Sequence, residues 1–191
     1  MANVQQLTAG LDNLNGIAGD YNIFQLTPAT LQATDTVTGG AASPFVDNLE
    51  VTATGTLAAA QFQGVTGIEQ LILSSAGNDV TLTNGLVAGT STGNFRVEGG
   101  AGDDTVDASF ITNFTPVSFI AGTGNDSFKG GNGRSDSVFP ANALTSADTV
   151  VGGSAADFLY FSRPAPSRST PSPMCRRSRV SSSIRAATAS R

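Results

Sequence analysis

The chain has 191 residues, among them 22 Gly and 11 Phe but no Trp and no His, and charged residues make up only 13%. All 15 acidic residues lie at or before Asp157, so residues 1–161 carry −12, whereas the segment from Ser162 holds seven Arg and no acid. A body so negative disfavours nucleic acid and invites cations, and the missing imidazole excludes Ser–His and Cys–His catalytic pairs and histidine-bound zinc.

Small residues, Thr and Val dominate, a mix suited to many short strands and tight turns. The first segment, residues 1–73, opens on MANVQQLTAG, without the basic start and apolar stretch of a cleavable signal peptide. It reads as a degenerate repeat in which Glu50–Thr54 is extended, Leu57–Gln63 (LAAAQFQ) is a short helix candidate and Gln70–Leu73 is a strand. Residues 74–161 continue with strands at Val80–Leu82, Phe95–Glu98, Thr105–Asp107, Val117–Ile120, Ser127–Lys129, Thr149–Val151 and Phe158–Phe161, each bounded by turn residues. No run approaches the ~18 apolar residues of a membrane-spanning helix. Cys175 is the only cysteine, so no intramolecular disulfide is possible.

Two periods run through these elements. The short one is about nine residues, a Gly-rich turn ending in Asp before a small–apolar–small triplet. GGAGDDTVD (Gly99–Asp107) is the cleanest copy, followed by AGTGNDSFK (Ala121–Lys129), GGNGRSDSVF (Gly130–Phe139) with one extra residue, and GGSAADFLY (Gly152–Tyr160). SSAGNDVTL (Ser74–Leu82) and GIAGDYNIF (Gly16–Phe24) are weaker echoes. The long period is 113 residues: LQATDTVTGG at Leu31–Gly40 returns as LTSADTVVGG at Leu144–Gly153.

The pattern G-G-x-G-x-D-x-U-x, with U large and apolar, resembles the RTX or haemolysin-type calcium-binding repeats, and Gly99–Asp107 matches it at every defined position. Calcium takes six to eight oxygens, many of them backbone carbonyls, and Gly supplies the positive φ that turns carbonyls inward. The resemblance implies a right-handed parallel β-roll or solenoid, all-β with irregular inserts, in which turns alternate between two sides and an ion sits between turns two apart. Turns 99–104 and 121–126 then share a side, making Asp104 and Asp126 the leading side-chain ligands. The carbonyls of Gly99, Ala101 and Asp103, and of Ala121, Thr123 and Asn125, would complete the cage. Asp79 and Asp148 fall on the same side, Asp136 and Asp157 on the other. Isolated Asp20, Asp35 and Asp47 read instead as caps of their own turns. Val106, Phe128 and Leu159, at the eighth position, read as core.

Phosphate cradling is disfavoured, because neither G-x-x-x-x-G-K-[ST] nor a completed G-x-G-x-x-G occurs. Adjacent carboxylates such as Asp103 and Asp104 point apart on a turn, which suits an ion better than acid–base catalysis. No catalytic residue is therefore expected. Residues 162–191, rich in Arg, Ser and Pro, are expected to be either a disordered basic tail or the product of a reading-frame shift. One base out of phase, with GC-rich codons, Pro164 onward can spell PGTVTVDALANVSAVEGQLV, beside TGTLAAAQFQGVTGIEQLIL at Thr54–Leu73.

The expected function is calcium binding coupled to folding in a secreted bacterial repeat protein, extracellular or on the cell surface and exported in one (type I) step. Its expected partners are Ca2+ ions and, through self-association, other copies or a cell surface. A surface-layer or adhesin-like scaffold, or a non-catalytic appendage of an exported protease or lipase, are the alternatives.

Overall fold

The computed structural model describes residues 2–40 and 46–162; the expectations for the tail lie outside them. Along this span two- to six-residue strands alternate with turns, and the chain winds as a series of stacked coils. The first coil holds β1 (Ala2–Gln6) and β2 (Asn13–Asn15), the second β3 (Tyr21–Leu26) and β4 (Thr36–Thr38). The third is the most elaborate, with β5 (Asn48–Val51), β6 (Gly55–Leu57), a 3-10 turn at Ala59–Phe62 and β7 (Val65–Thr66). The fourth holds β8 (Gln70–Ile72), β9 (Asn78–Thr81) and the short helix α1 (Asn84–Ala88). Then come β10 (Phe95–Glu98) with β11 (Thr105–Asp107), and β12 (Val117–Ile120) with β13 (Ser127–Lys129). β14 (Ser135–Pro140) and β15 (Thr149–Val151) form the seventh coil, and β16 (Phe158–Ser162) closes the described span.

Every strand pairs in parallel with the one a coil away. The principal sheet has eight strands in the order β1-β3-β5-β8-β10-β12-β14-β16, the second runs β15-β13-β11-β9-β6, and the third β2-β4-β7. The fold is thus a parallel β-solenoid, as the repeats predict, with one sheet running through both residues 1–73 and residues 74–161. Coil length varies with the inserts: Arg96 pairs with Ser118, Ser118 with Asp136 and Gln70 with Arg96, separations of 22, 18 and 26 residues. The predicted helix at Leu57–Gln63 is the 3-10 turn, held where the Gln61 side chain accepts from the Ala58 N–H at 2.8 Å and donates to the carbonyls of Pro28 (2.8 Å) and Leu31 (2.7 Å).

Inward side chains of successive strands stack in rows. Phe24, Leu49, Leu71, Val97 and Phe119 form one row of the principal sheet, and Leu57, Val80, Val106 and Phe128 face them from the second, all buried. Phe119 stacks on Phe128 with ring centroids 5.5 Å apart. Fully burying each such side chain is worth roughly 1.5–3 kcal/mol, so the rows carry the fold. Leu159 departs from its expected place in the core. It continues the row beyond Ser137 but is 45% exposed, because no coil in the described span stacks on β16.

The 113-residue period has a structural counterpart: it is the distance from the second coil to the seventh. β3 and its following turn superpose in role on β14 and its turn, Asp35 corresponds to Asp148, and Gly40 corresponds to Gly153. The unit that repeats is therefore five coils long.

Candidate functional site

The turns entering the second sheet stack on one another so closely that backbone meets backbone. Thr123 N–H donates to the Gly100 carbonyl (3.0 Å), and Ser127 N–H to that of Asp104 (2.7 Å). A Cβ on Gly122 would lie 1.5 Å from the Gly100 oxygen, and one on Gly102 would lie 2.1 Å from the Gly77 nitrogen. These glycines are there because adjacent coils leave no space for a side chain. Turns 99–104 and 121–126 do lie on one side, one coil apart, as the spacing predicts.

At each such corner the residue entering the strand is Asp or Asn, and its side chain reaches back to the preceding coil. Asp104 Oδ1 accepts the Asn78 N–H (2.8 Å) and its Oδ2 the Gly100 N–H (3.1 Å). Asp126 Oδ1 accepts the Asp104 N–H (3.0 Å), and Asp148 accepts those of Asp126 (2.7 Å) and Thr145 (2.6 Å). Asn78 begins the series by accepting from Ser74 N–H (2.8 Å), while its Nδ2 donates to the carbonyls of Ala53 and Gly55. The result is a ladder Asn78–Asp104–Asp126–Asp148 in which carboxyl and amide oxygens satisfy backbone donors that the turns would otherwise strand.

Four further corners follow the same rule, one of them with Glu in place of Asp or Asn. Asp35 accepts from Asp12 N–H (3.0 Å) and Gln32 N–H (2.7 Å). Entering the principal sheet, Asn22 N–H donates to Asp47 (3.2 Å), and Asp47 N–H to Glu69 (2.8 Å). At its far end Ser135 N–H and Gly153 N–H donate to Asp157 (2.7 and 2.6 Å). Asn22, Glu69, Asn78 and Ser135 were missed as ladder members because they are not Asp at the sixth repeat position. A search for any hydrogen-bonding side chain just before each strand would have found them.

Asp104 and Asp126 are buried, at 0% and 2% exposure, without a cationic partner among the described residues. Burial pushes the Asp126 carboxyl up from 3.8 to about 6, with the neighbouring carboxylates of Asp104, Asp148 and Asp103 adding to the rise. Burial also raises Asp104 and Asp47. Asp148 sits near the surface; the small effect of burial there is outweighed by the N–H groups of Asp126 and Thr145, which hold it below its ordinary value.

The remaining predicted ligands take other places. Turn 74–78 is one residue shorter than turn 99–104, so Asn78 occupies the ladder and Asp79 points outward. In the 130–135 turn it is likewise Ser135 that enters the corner. Asp136 falls on the outer face of β14, paired with Arg134 (2.7 Å), whose guanidinium lies 5.8 Å from the Phe158 ring centre. Ala121 is buried with its N–H on the Val138 carbonyl, whereas Ala101, Thr123 and Asn125 are exposed and Gly99 is half-buried. Asp103 is exposed, and its Oδ1 accepts the Asn125 N–H (2.7 Å).

The carboxylates of Asp103 and Asp79 line one outward notch of about 130 Å3, together with Thr54, Gly55, Ala76, Gly77 and Asn78. Thr54 Oγ1 donates to the Gly77 carbonyl at its floor (2.7 Å). Of the predicted oxygen donors, Asp79 and Asp103 are the two that line this polar outward hollow, with Asp103 also accepting from Asn125; among the described residues no cluster of three or more acidic side chains forms. Asp104 and Asp126 are already engaged by backbone N–H groups between turns in direct contact. The chain matches no protein-family model, no curated protein and no solved structure.

Proposed function

We propose that this chain is a non-catalytic β-solenoid module of a secreted, RTX-like bacterial protein, and that it binds calcium on the outside of its corner turns. The observation that supports it is the notch where Asp79 and Asp103 present two carboxylates across adjacent coils. An ion there would tie the fourth coil to the fifth and relieve part of the −12 carried by residues 1–161. Such an ion stabilises the fold by mass action, about 1.4 kcal/mol at ten times its Kd.

Thermal melts in chelator, in millimolar calcium and in equal magnesium test this reading. Calcium should raise the midpoint by several degrees, magnesium by much less, and the Asp79→Asn/Asp103→Asn chain should lose the calcium increment. Identical midpoints in chelator and calcium would rule the ion out. The second reading is a surface-layer or adhesin-like scaffold, which concentration-dependent sheets or filaments would favour. Its support is the hydrogen-bond ladder, whose side chains join backbone donors from coil to coil.

A further inference from the structure

Between β11 and β12 the fifth coil carries an insert, residues 108–116 (ASFITNFTP), without a charged residue. Ala108 and Ile111 point into the core, but Phe110 and Phe114 stand outward at 63% and 83% exposure. They are the two most exposed aromatic side chains among the described residues. Between them, exposed Thr112 joins polar side chains of the coils on either side. Asn84, from the fourth coil, donates through Nδ2 to Thr112 Oγ1 (2.8 Å), and its Oδ1 accepts the N–H groups of Thr112 (2.9 Å) and Asn113 (3.2 Å). Asn132, from the sixth coil, donates through Nδ2 to the Thr112 carbonyl (3.3 Å). Asn113 Oδ1 accepts the Thr115 N–H (3.3 Å). These bonds hold the side chains in fixed directions and leave donors over: the Thr112 hydroxyl, the Asn113 NH2 and one N–H each of Asn84 and Asn132.

We propose that this strip binds a neutral oligosaccharide. A sugar ring is apolar on its C–H faces and hydroxylated at its rim, and the strip presents the complement of both. The negative face of an aromatic ring attracts polarised C–H groups, so Phe110 and Phe114 would take the ring faces. The oriented donors of Thr112, Asn113 and Asn84 would take the hydroxyls, with little left to order on binding. The two phenylalanines are four residues apart in the chain, so their backbones lie within ~14 Å, a span that one short glycan covers. Charge narrows the ligand further. Residues 1–161 carry −12, which turns away nucleic acid and acidic polysaccharides, and the insert offers no carboxylate to a basic peptide. The strip shares no residue with the Asp79–Asp103 notch and does not depend on calcium.

Affinity electrophoresis of the full-length chain tests this, in chelator, through native gels containing dextran, mannan, mixed-linkage β-glucan or anionic alginate. At least one of the three neutral polymers should retard the chain, and alginate should not. Phe110→Leu/Phe114→Leu keeps apolar bulk but removes the flat rings, and should weaken the retardation at least tenfold in polymer concentration. Both side chains are exposed, so the melting midpoint and circular dichroism spectrum of this variant should match the parent. No retardation by any neutral polymer would overturn the proposal. So would equal retardation of the Leu variant, which would mean unspecific apolar adhesion, or equal retardation by alginate. Sedimentation of the parent as a dimer that the Leu substitutions dissociate would assign the strip to a second copy and overturn it too.

Discussion

Replacing Asp126 by Asn should stabilise the protein at neutral pH. Asp126 Oδ1 accepts the Asp104 N–H, and an amide oxygen can do the same. Asn78 already shows this in the same ladder, with its Nδ2 absorbed by two carbonyls. What the substitution removes is the charge. A carboxyl carried from 3.8 to about 6 by burial costs the folded state on the order of 3 kcal/mol when ionised. Some of that is offset by imperfect placement of the new NH2, leaving a gain of roughly 1–3 kcal/mol. For a chain of this size each kcal/mol moves the midpoint by about 2–4 °C, so a rise of roughly 5 °C is expected in chelator at pH 7. The parent should itself become more stable as pH falls from 7 towards 4. Between 3.8 and about 6 the native Asp126 holds a proton that the unfolded chain does not. Asp104 and Asp47, also raised by burial, act in the same sense. The Asn variant should show less of this dependence. Thermal melts at pH 7 and pH 4.5 decide it. Destabilisation of Asp126→Asn at pH 7 in chelator, to the level of Asp126→Ala, would refute the ladder. Loss of a calcium-induced rise in the Asn variant would make Asp126 a ligand instead.

Asp104→Ala strands the N–H groups of Asn78 and Gly100, and should cost about 2–5 kcal/mol by chemical denaturation; Asp104→Asn should recover only part of it, because one amide oxygen replaces two carboxylate acceptors. Gly122→Ala drives a methyl into the Gly100 carbonyl and should cost about 3 kcal/mol or more, visible as a large fall in the melting midpoint. Gly85→Ala, in α1 with its nearest neighbour 3.9 Å away, is the control and should gain about 0.5–1 kcal/mol.

Much of the β-architecture was legible. Turn-bounded apolar triplets mark β11, β13 and β15 to the residue, and the spacing of turns 99–104 and 121–126 correctly places them one coil apart. β2, β4 and β7 were not read, because NLN, TVT and VT are too short and polar to register before their parallel partners are known. β14 was masked by counting Asp136 as the turn aspartate, which pushed the strand start past Ser135. The direction of the aspartates was the harder matter. The spacing brings Asp104 and Asp126 together but is silent on whether a carboxylate faces an ion or the backbone of the next coil. That depends on the close approach at Gly100 and Gly122, a tertiary fact. The single-residue shortening at Asn78, which turns Asp79 outward, depends on the register between β9 and β11.

The five-coil unit makes the chain a length standard as well as a fold. Stacked parallel strands advance about 4.8 Å per coil, so each 113-residue unit advances about 24 Å along the axis. Any feature that recurs with the unit, such as the corner carboxylates Asp35 and Asp148, would then reappear at that interval on one flank. An array built from this unit would display its attachment points as evenly spaced marks, at a spacing set by the backbone hydrogen bond and not by any side chain.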